Sequence, residues 1–101
     1  MEYYFIGDSE LVTAFRFIGI DGTAVHDHTE AEQAFKTITD SNDCKVLIMT
    51  EETASWLDES IVSWQLSGNY PLIVEIPGIM GKMPARKTIT EAIREAIGIN
   101  I

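Results

Sequence analysis

The sequence predicts an α/β fold: a four-stranded parallel sheet with helices on both faces and a C-terminal helix after a flexible loop. Three observations carry this. Strand-length apolar segments alternate with segments of helical period four times along the 101 residues. One of them, Lys45-Val46-Leu47-Ile48-Met49, is apolar on both faces, as a strand inside a parallel sheet should be. The helical segments open on Asp or Thr, the residue types that cap free backbone N–H groups.

The first strand is read at Glu2–Ile6. Asp8 caps a helix from Ser9 to about Ile18, with Leu11, Ala14, Phe15 and Ile18 on one face. A short second strand is expected around Thr23–Asp27. Its helix starts at Thr29, which with Glu32 spells a capping box, and Ala31, Ala34, Phe35 and Ile38 form the buried stripe. Asp40-Ser41-Asn42-Asp43 is a turn cluster. After the third strand, Thr50 caps the next helix, and Glu51 and Glu52 sit in its first turn, where the helix dipole favours negative charge. Trp56, Leu57, Ile61 and Trp64 share one face, and Gly68-Asn69 ends the unit.

The fourth strand spans Tyr70–Ile76, and Pro77-Gly78-Ile79-Met80-Gly81 stops it. A last helix begins near Thr88 with Glu91 as its capping partner, and Ile89, Ile93 and Ile97 line one side. Strands and helices in alternation imply right-handed crossovers and the order 2-1-3-4, a flavodoxin/receiver-like wind. One domain covers 1–101, with an α/β core at 1–77 and a loop and basic helix at 78–101.

Composition narrows the function. Hydrophobic residues make up 46% and charged residues 23%, the balance of a folded chain rather than a disordered one. The apolar runs are too short to span a membrane, no basic leader precedes the first strand, and a lone Cys44 suits a reducing compartment, so a cytoplasmic protein without direct membrane insertion is expected. The net charge of −9 argues against nucleic acid and anionic lipid as partners. Residues 82–101 hold Lys82, Arg86, Lys87 and Arg94 against Glu91 and Glu95, a balance of +2, so the remainder carries −11. Between Met1 and Phe35 the only basic residue is Arg16. An acidic body with a basic end offers two kinds of contact surface.

Catalytic patterns fail one by one. A dinucleotide fingerprint needs three spaced glycines after the first strand, and only Gly7 is there. Gly78-Ile79-Met80-Gly81-Lys82-Met83 approaches a phosphate loop but has Ile76 in place of its first glycine and Met83 where a hydroxyl must hold magnesium. A phospho-acceptor receiver domain is the alternative reading: Asp8 and Glu10 could supply its acidic cluster, but Met49-Thr50-Glu51-Glu52 lacks the acceptor aspartate and no fifth strand follows. His26-Asp27-His28, with Glu30 and Glu32 after it, places two imidazoles on one side of an extended segment. Imidazole and carboxylate suit transition metals, but no third ligand is placed. Cys44 has no neighbouring histidine to activate it. Trp56 and Trp64 read as core or partner anchors. No cofactor, metal or catalytic residue is expected.

What remains is surplus apolar surface. Val12 and Phe17 fall off the Leu11–Phe15–Ile18 stripe, and Thr13 and Arg16 lie on the outer side of the first helix. Arginine is well suited to fixed interface ion pairs. The terminal helix repeats the theme, with an isoleucine seam between basic flanks that could pack on its own sheet or on a partner's coiled coil.

Four segments in order carry a resemblance: Ile6-Gly7-Asp8 with Val12-Thr13-Ala14-Phe15-Arg16-Phe17-Ile18-Gly19-Ile20, then Ile48-Met49-Thr50-Glu51-Glu52, then Tyr70–Gly78, and the closing Ala96-Ile97-Gly98-Ile99. Over nearly its whole length the chain resembles the F subunit of V-type and archaeal A-type ATP synthases and ATPases. It departs from the usual pattern at Ala14, where glycine is common, and at Phe17 and Ile18, where smaller residues are common. The resemblance implies a receiver-like domain whose C-terminal part can move. It implies a non-catalytic place on the central rotor stalk beside the coiled-coil D subunit, between the catalytic A and B head subunits and the C subunit that caps the rotor. Such a protein takes part in coupling ATP synthesis or hydrolysis to ion transport, peripheral to the membrane. The expected contacts are Thr13, Arg16 and Phe17 on the first helix, and Lys82, Arg86, Lys87, Ile93 and Arg94 at the tail.

Overall fold

Four parallel strands lie in the order β2-β1-β3-β4 in the computed structural model, which describes residues 2–78. The elements run β1 (Tyr3–Gly7), α1 (Ser9–Phe17), β2 (Gly22–Ala24), α2 (His28–Asp40), β3 (Val46–Thr50), α3 (Glu51–Ser55), α4 (Asp58–Ser67) and β4 (Leu72–Ile76). The expected order 2-1-3-4 is the observed one. The loop and helix expected after Gly78 lie outside the described residues.

Alternation along the strands divides the sheet into two faces. One face carries Ile6, Leu47, Met49 and Ile73, which pack with Ala31, Ala34, Phe35 and Ile38 of α2, Ala54 of α3, and Leu57 and Ile61 into the main core. The other face carries Phe5, whose ring stacks on Phe15 of α1 at 4.5 Å between centroids. Helices α2, α3 and α4 thus cover one face, and α1 covers part of the other. Right-handed crossovers require this: the chain steps from β1 to β2 in one direction and then back past β1 to β3 and β4.

Several boundaries differ from the sequence reading, each for a local reason. The second strand is Gly22–Ala24 rather than Thr23–Asp27. The His26 backbone N–H donates to the Glu30 carboxylate (2.7 Å) instead of joining the ladder, and the Asp27 side chain accepts from the Glu30 N–H (2.8 Å). Asp27, not Thr29, is therefore the cap of α2, which begins at His28. Its buried stripe of Ala31, Ala34, Phe35 and Ile38 is as expected. The third and fourth strands are Val46–Thr50 and Leu72–Ile76, shorter at their entries than Lys45 and Tyr70 implied.

The single helix expected after Thr50 is two. Trp56 and Leu57 donate to the carbonyls of Thr53 and Ala54, three residues back, and this tight turn ends α3. Ile61 then donates to the Leu57 carbonyl (2.8 Å) as α4 starts. The break lets both Leu57 and Ile61 enter the core. Trp64 fastens α4 on two sides: its indole N–H donates to the Pro71 carbonyl (2.9 Å), and its ring meets Phe35 edge-on at 6.3 Å. Gly68, left-handed at φ 74°, ends α4 as expected.

Strands β1 and β2 approach closely at Gly22. A Cβ there would stand 2.7 Å from the Phe5 carbonyl oxygen, a backbone atom that cannot yield without disturbing the sheet. Gly22→Ala is expected to lower stability by about 1–3 kcal/mol, as overpacking does. Urea denaturation checks this, and a midpoint equal to wild type would contradict it.

Candidate functional site

In open α/β sheets ligands gather at the carboxyl ends of the strands, where helix N-termini offer free N–H groups. Here the chain fills those positions itself. The Asp8 carboxylate accepts from the Leu11 N–H at 2.9 Å and caps α1. Asp27 caps α2, and the Thr50 hydroxyl accepts from the Thr53 N–H at 3.2 Å to cap α3. Glu10, Glu30, Glu51 and Glu52 add negative charge in the first turns. A phosphate approaching this edge meets carboxylates, and one N–H at each helix start is already taken. For the receiver alternative, Asp8 is committed as a cap and Thr50-Glu51-Glu52 follows β3 with no aspartate.

The two histidines are paired locally. His26 Nδ1 lies 3.2 Å from Glu30 Oε1, and His28 Nε2 lies 3.7 Å from Glu32 Oε1, all four side chains being exposed. Among the described residues no group of three or more His, Cys, Asp or Glu side chains could hold a metal ion. Cys44 is buried, with its Sγ 3.3 Å from the Val46 carbonyl oxygen. Burial pushes its thiol up, so the neutral form prevails.

The first helix is seated differently from its sequence reading. Val12 is buried and Leu11 and Phe15 half-buried, whereas Ala14 and Ile18 are exposed. The inward stripe is therefore Leu11, Val12 and Phe15, not Leu11, Ala14, Phe15 and Ile18. The helix end explains part of this. Gly19, left-handed at φ 88°, donates to the Arg16 carbonyl, and Ile20 donates to the Phe15 carbonyl at 3.0 Å, the paired bonds of a Schellman termination. Ile18 is the C-cap, beyond the last helical residue, so the helical wheel no longer applies to it. Gly19 was the available sequence signal.

This seating turns Thr13, Arg16 and Phe17 outward together, at the i, i+3, i+4 spacing that makes neighbours on a helix surface. Phe17 is 86% exposed and Ile18 71%. Among the described residues no helix covers Phe17. The Thr13 hydroxyl donates back to the Ser9 carbonyl at 3.0 Å, leaving its methyl and the aromatic ring as apolar surface. Arg16 sits in the last turn, where the helix dipole favours a cation, and no carboxylate among the described residues pairs with it. Lys82, Arg86, Lys87, Ile93 and Arg94 lie outside the described residues.

These features define an α/β domain with a self-capped carboxyl edge and an outward aromatic and cationic helix face. The family model described as ATP synthase (F/14-kDa) subunit matches residues 4–99. The chain is 27% identical over 106 residues to the F subunit of the A-type ATP synthase of Pyrococcus abyssi, covering 100% of this chain and 98% of the relative. It is 33% identical over 97 residues to the F subunit of the A-type ATP synthase of Methanocaldococcus jannaschii, covering 95% and 94%. With the F subunit of the V-type ATP synthase of Clostridium botulinum (strain Eklund 17B / Type B) the identity is 29% over 97 residues, covering 95% and 92%. The chain belongs to the ATP synthase (F/14-kDa) subunit family and is a component of an A/V-type ATP synthase. Among the described residues no helix is long and apolar enough to cross a membrane.

Two expectations follow. Asp8→Ala removes one cap and should cost about 0.5–2 kcal/mol in thermal or urea unfolding; no loss would mean that the cap does not hold α1. Cys44 should react with a thiol reagent far more slowly in the native protein than in urea. The folded state favours the neutral thiol, so Cys44's contribution to stability should also fall as pH rises through the alkaline range, where the unfolded chain ionises first. Rapid labelling of the native protein would contradict the burial.

Proposed function

We propose that this chain is a non-catalytic part of the central rotor stalk, coupling ATP synthesis or hydrolysis to ion transport, and that the outer face of α1 docks on the coiled-coil D subunit. One observation carries the reading: Thr13, Arg16 and Phe17 form a single exposed patch on a helix whose opposite side is fixed to the sheet. Aromatic residues and arginine are the types enriched at the energetic centres of interfaces. Burying a phenylalanine that is free in the isolated chain contributes about 1.5–3 kcal/mol.

A coiled coil offers a fitting counterpart. It carries an apolar seam flanked by charged positions, which match Phe17 and Arg16 respectively. The basic tail residues Lys82, Arg86, Lys87 and Arg94 supply a second contact of opposite charge to the acidic body, toward the D subunit or the A and B head subunits. The C subunit, as rotor cap, completes the stalk on the membrane side. In this role the chain is peripheral to the membrane, on its cytoplasmic side.

Calorimetric titration of the chain with the purified D subunit tests the assignment. Phe17→Ala is expected to weaken binding about 30-fold, the effect of a hot-spot residue, and Arg16→Glu by roughly tenfold or more. Phe17→Ala should keep the wild-type unfolding midpoint, since its side chain does not enter the core, and Arg16→Glu, which places an anion in the last turn of α1, should lower it only slightly. Unchanged affinity in both would refute the α1 surface, and no binding by the wild-type chain would refute the stalk role.

A further inference from the structure

The two edges of the sheet are finished differently. At β4, Leu72 donates to the Lys45 carbonyl, so the backbone groups of Pro71 and Ile73 point away from β3. Helix α4 takes up their carbonyls: the Trp64 indole N–H donates to Pro71 (2.9 Å) and the Gln65 amide to Ile73 (3.4 Å). At β2, Phe5 donates to the Asp21 carbonyl and Val25 to the Gly7 carbonyl, so the N–H and C=O groups of Gly22 and Ala24 point away from β1. Among the described residues nothing takes them up. An edge of this kind is a template for another strand.

A groove of about 300 Å³ runs beside that edge, between β2 and α2, on the sheet face opposite α1. Thr23 faces into it, where its hydroxyl meets that of Tyr4. Gln33 and Thr37 line the α2 side together with Ala34 and Ile38, and among the described residues Glu30 is the only charged side chain in the lining. Neighbouring residues on adjacent strands share a face, so a residue of an added strand lying next to Thr23 would enter this groove. A lysine or arginine there would lay its methylenes along Ala34 and Ile38 and carry its charge to Glu30.

We propose that the β2 edge and this groove receive an extended, basic segment of a partner protein by strand addition. Gly22 and Ala24 supply two donors and two acceptors to its backbone, and the groove beside Glu30 takes one cationic side chain. The His26 N–H, taken by the Glu30 carboxylate, ends the open edge after Ala24. The pairing is therefore short, and the groove adds the selectivity that so few backbone bonds lack. Charge selects the occupant. The chain outside residues 82–101 carries −11, which attracts a cationic segment, whereas a second copy of net charge −9 is repelled. The site is separate from the outer face of α1, and either can stand without the other.

Amide NMR of the full chain, titrated with a short end-blocked peptide of alternating threonine and lysine, tests this. The Gly22 and Ala24 amides are expected to shift and their hydrogen exchange to slow by about tenfold or more. The same peptide, N-methylated at alternate backbone nitrogens so that it keeps its charge but cannot pair, should do neither. No response at Gly22 and Ala24, or an equal response to the methylated peptide, would overturn strand addition. Amides already protected before peptide is added would overturn it too. If that protection fades on dilution, the occupant is a second copy; if it does not, the chain closes the edge itself. In a second arm, Thr37→Lys places a cation at the groove on an exposed position of α2. It should weaken peptide binding by about tenfold while leaving the unfolding midpoint no lower than wild type. Unchanged affinity in this variant would contradict the groove's part.

Discussion

Phe5 is the residue on which this architecture turns. Its side chain is fully buried, its ring stacks on Phe15, its carbonyl faces Gly22 and its backbone N–H donates to Asp21 at 3.0 Å. A Cβ on Gly7 would fall 2.4 Å from the Phe5 ring, so the glycine of the first strand–helix turn makes room for that ring. A nine-residue helix is marginal on its own in water. The seating of α1 must come from packing, and the Phe5–Phe15 stack contributes about 0.5–1.5 kcal/mol beyond simple burial. With the helix anchored by Phe15, Val12 and Leu11 turn inward, and Thr13, Arg16 and Phe17 have nowhere to go but out.

The same turn opens the carboxyl edge of the sheet, the edge at which α/β folds gather ligands. The strand ends at Gly7, Ala24 and Thr50 lead to helices in each of which one free N–H, that of Leu11, Glu30 or Thr53, is taken by Asp8, Asp27 or Thr50. Three caps from the chain's own side chains, with glutamates beside them, stabilise the helix starts and make the edge acidic. The fold is one that elsewhere cradles phosphates, and the difference lies in a handful of polar side chains. The exposed apolar and cationic side chains Phe17 and Arg16 lie instead on the exterior of α1.

Strand order, parallel pairing and the α2 stripe were legible because they depend on long-period patterning: alternation of elements and apolar spacing over three turns. The carboxyl-edge caps at Asp8 and Thr50 were legible because capping is a two- or three-residue interaction. Boundaries were not, where two local interactions compete. At His26, the Glu30 carboxylate outcompetes the ladder for a backbone N–H. At Trp56–Leu57, burying two large residues outweighs helical continuity. The rotation of α1 was hidden for a different reason. Val12 and Ile18 are equally apolar, and only the termination at Gly19, together with the Phe5–Phe15 contact, decides which of them faces the sheet. Thr13, Arg16 and Phe17 were found as residues left over from the stripe, a signal that survived the error in the stripe itself.

A cryo-electron-microscopy map of an assembled ATP synthase containing this chain tests the central proposal most directly. The account predicts α1 seated lengthwise on a helical neighbour in the stalk, with the Phe17 ring buried at the contact and the Arg16 guanidinium paired with a partner carboxylate. A map in which α1 faces solvent, and the chain meets the stalk through the self-capped strand edge instead, would contradict it.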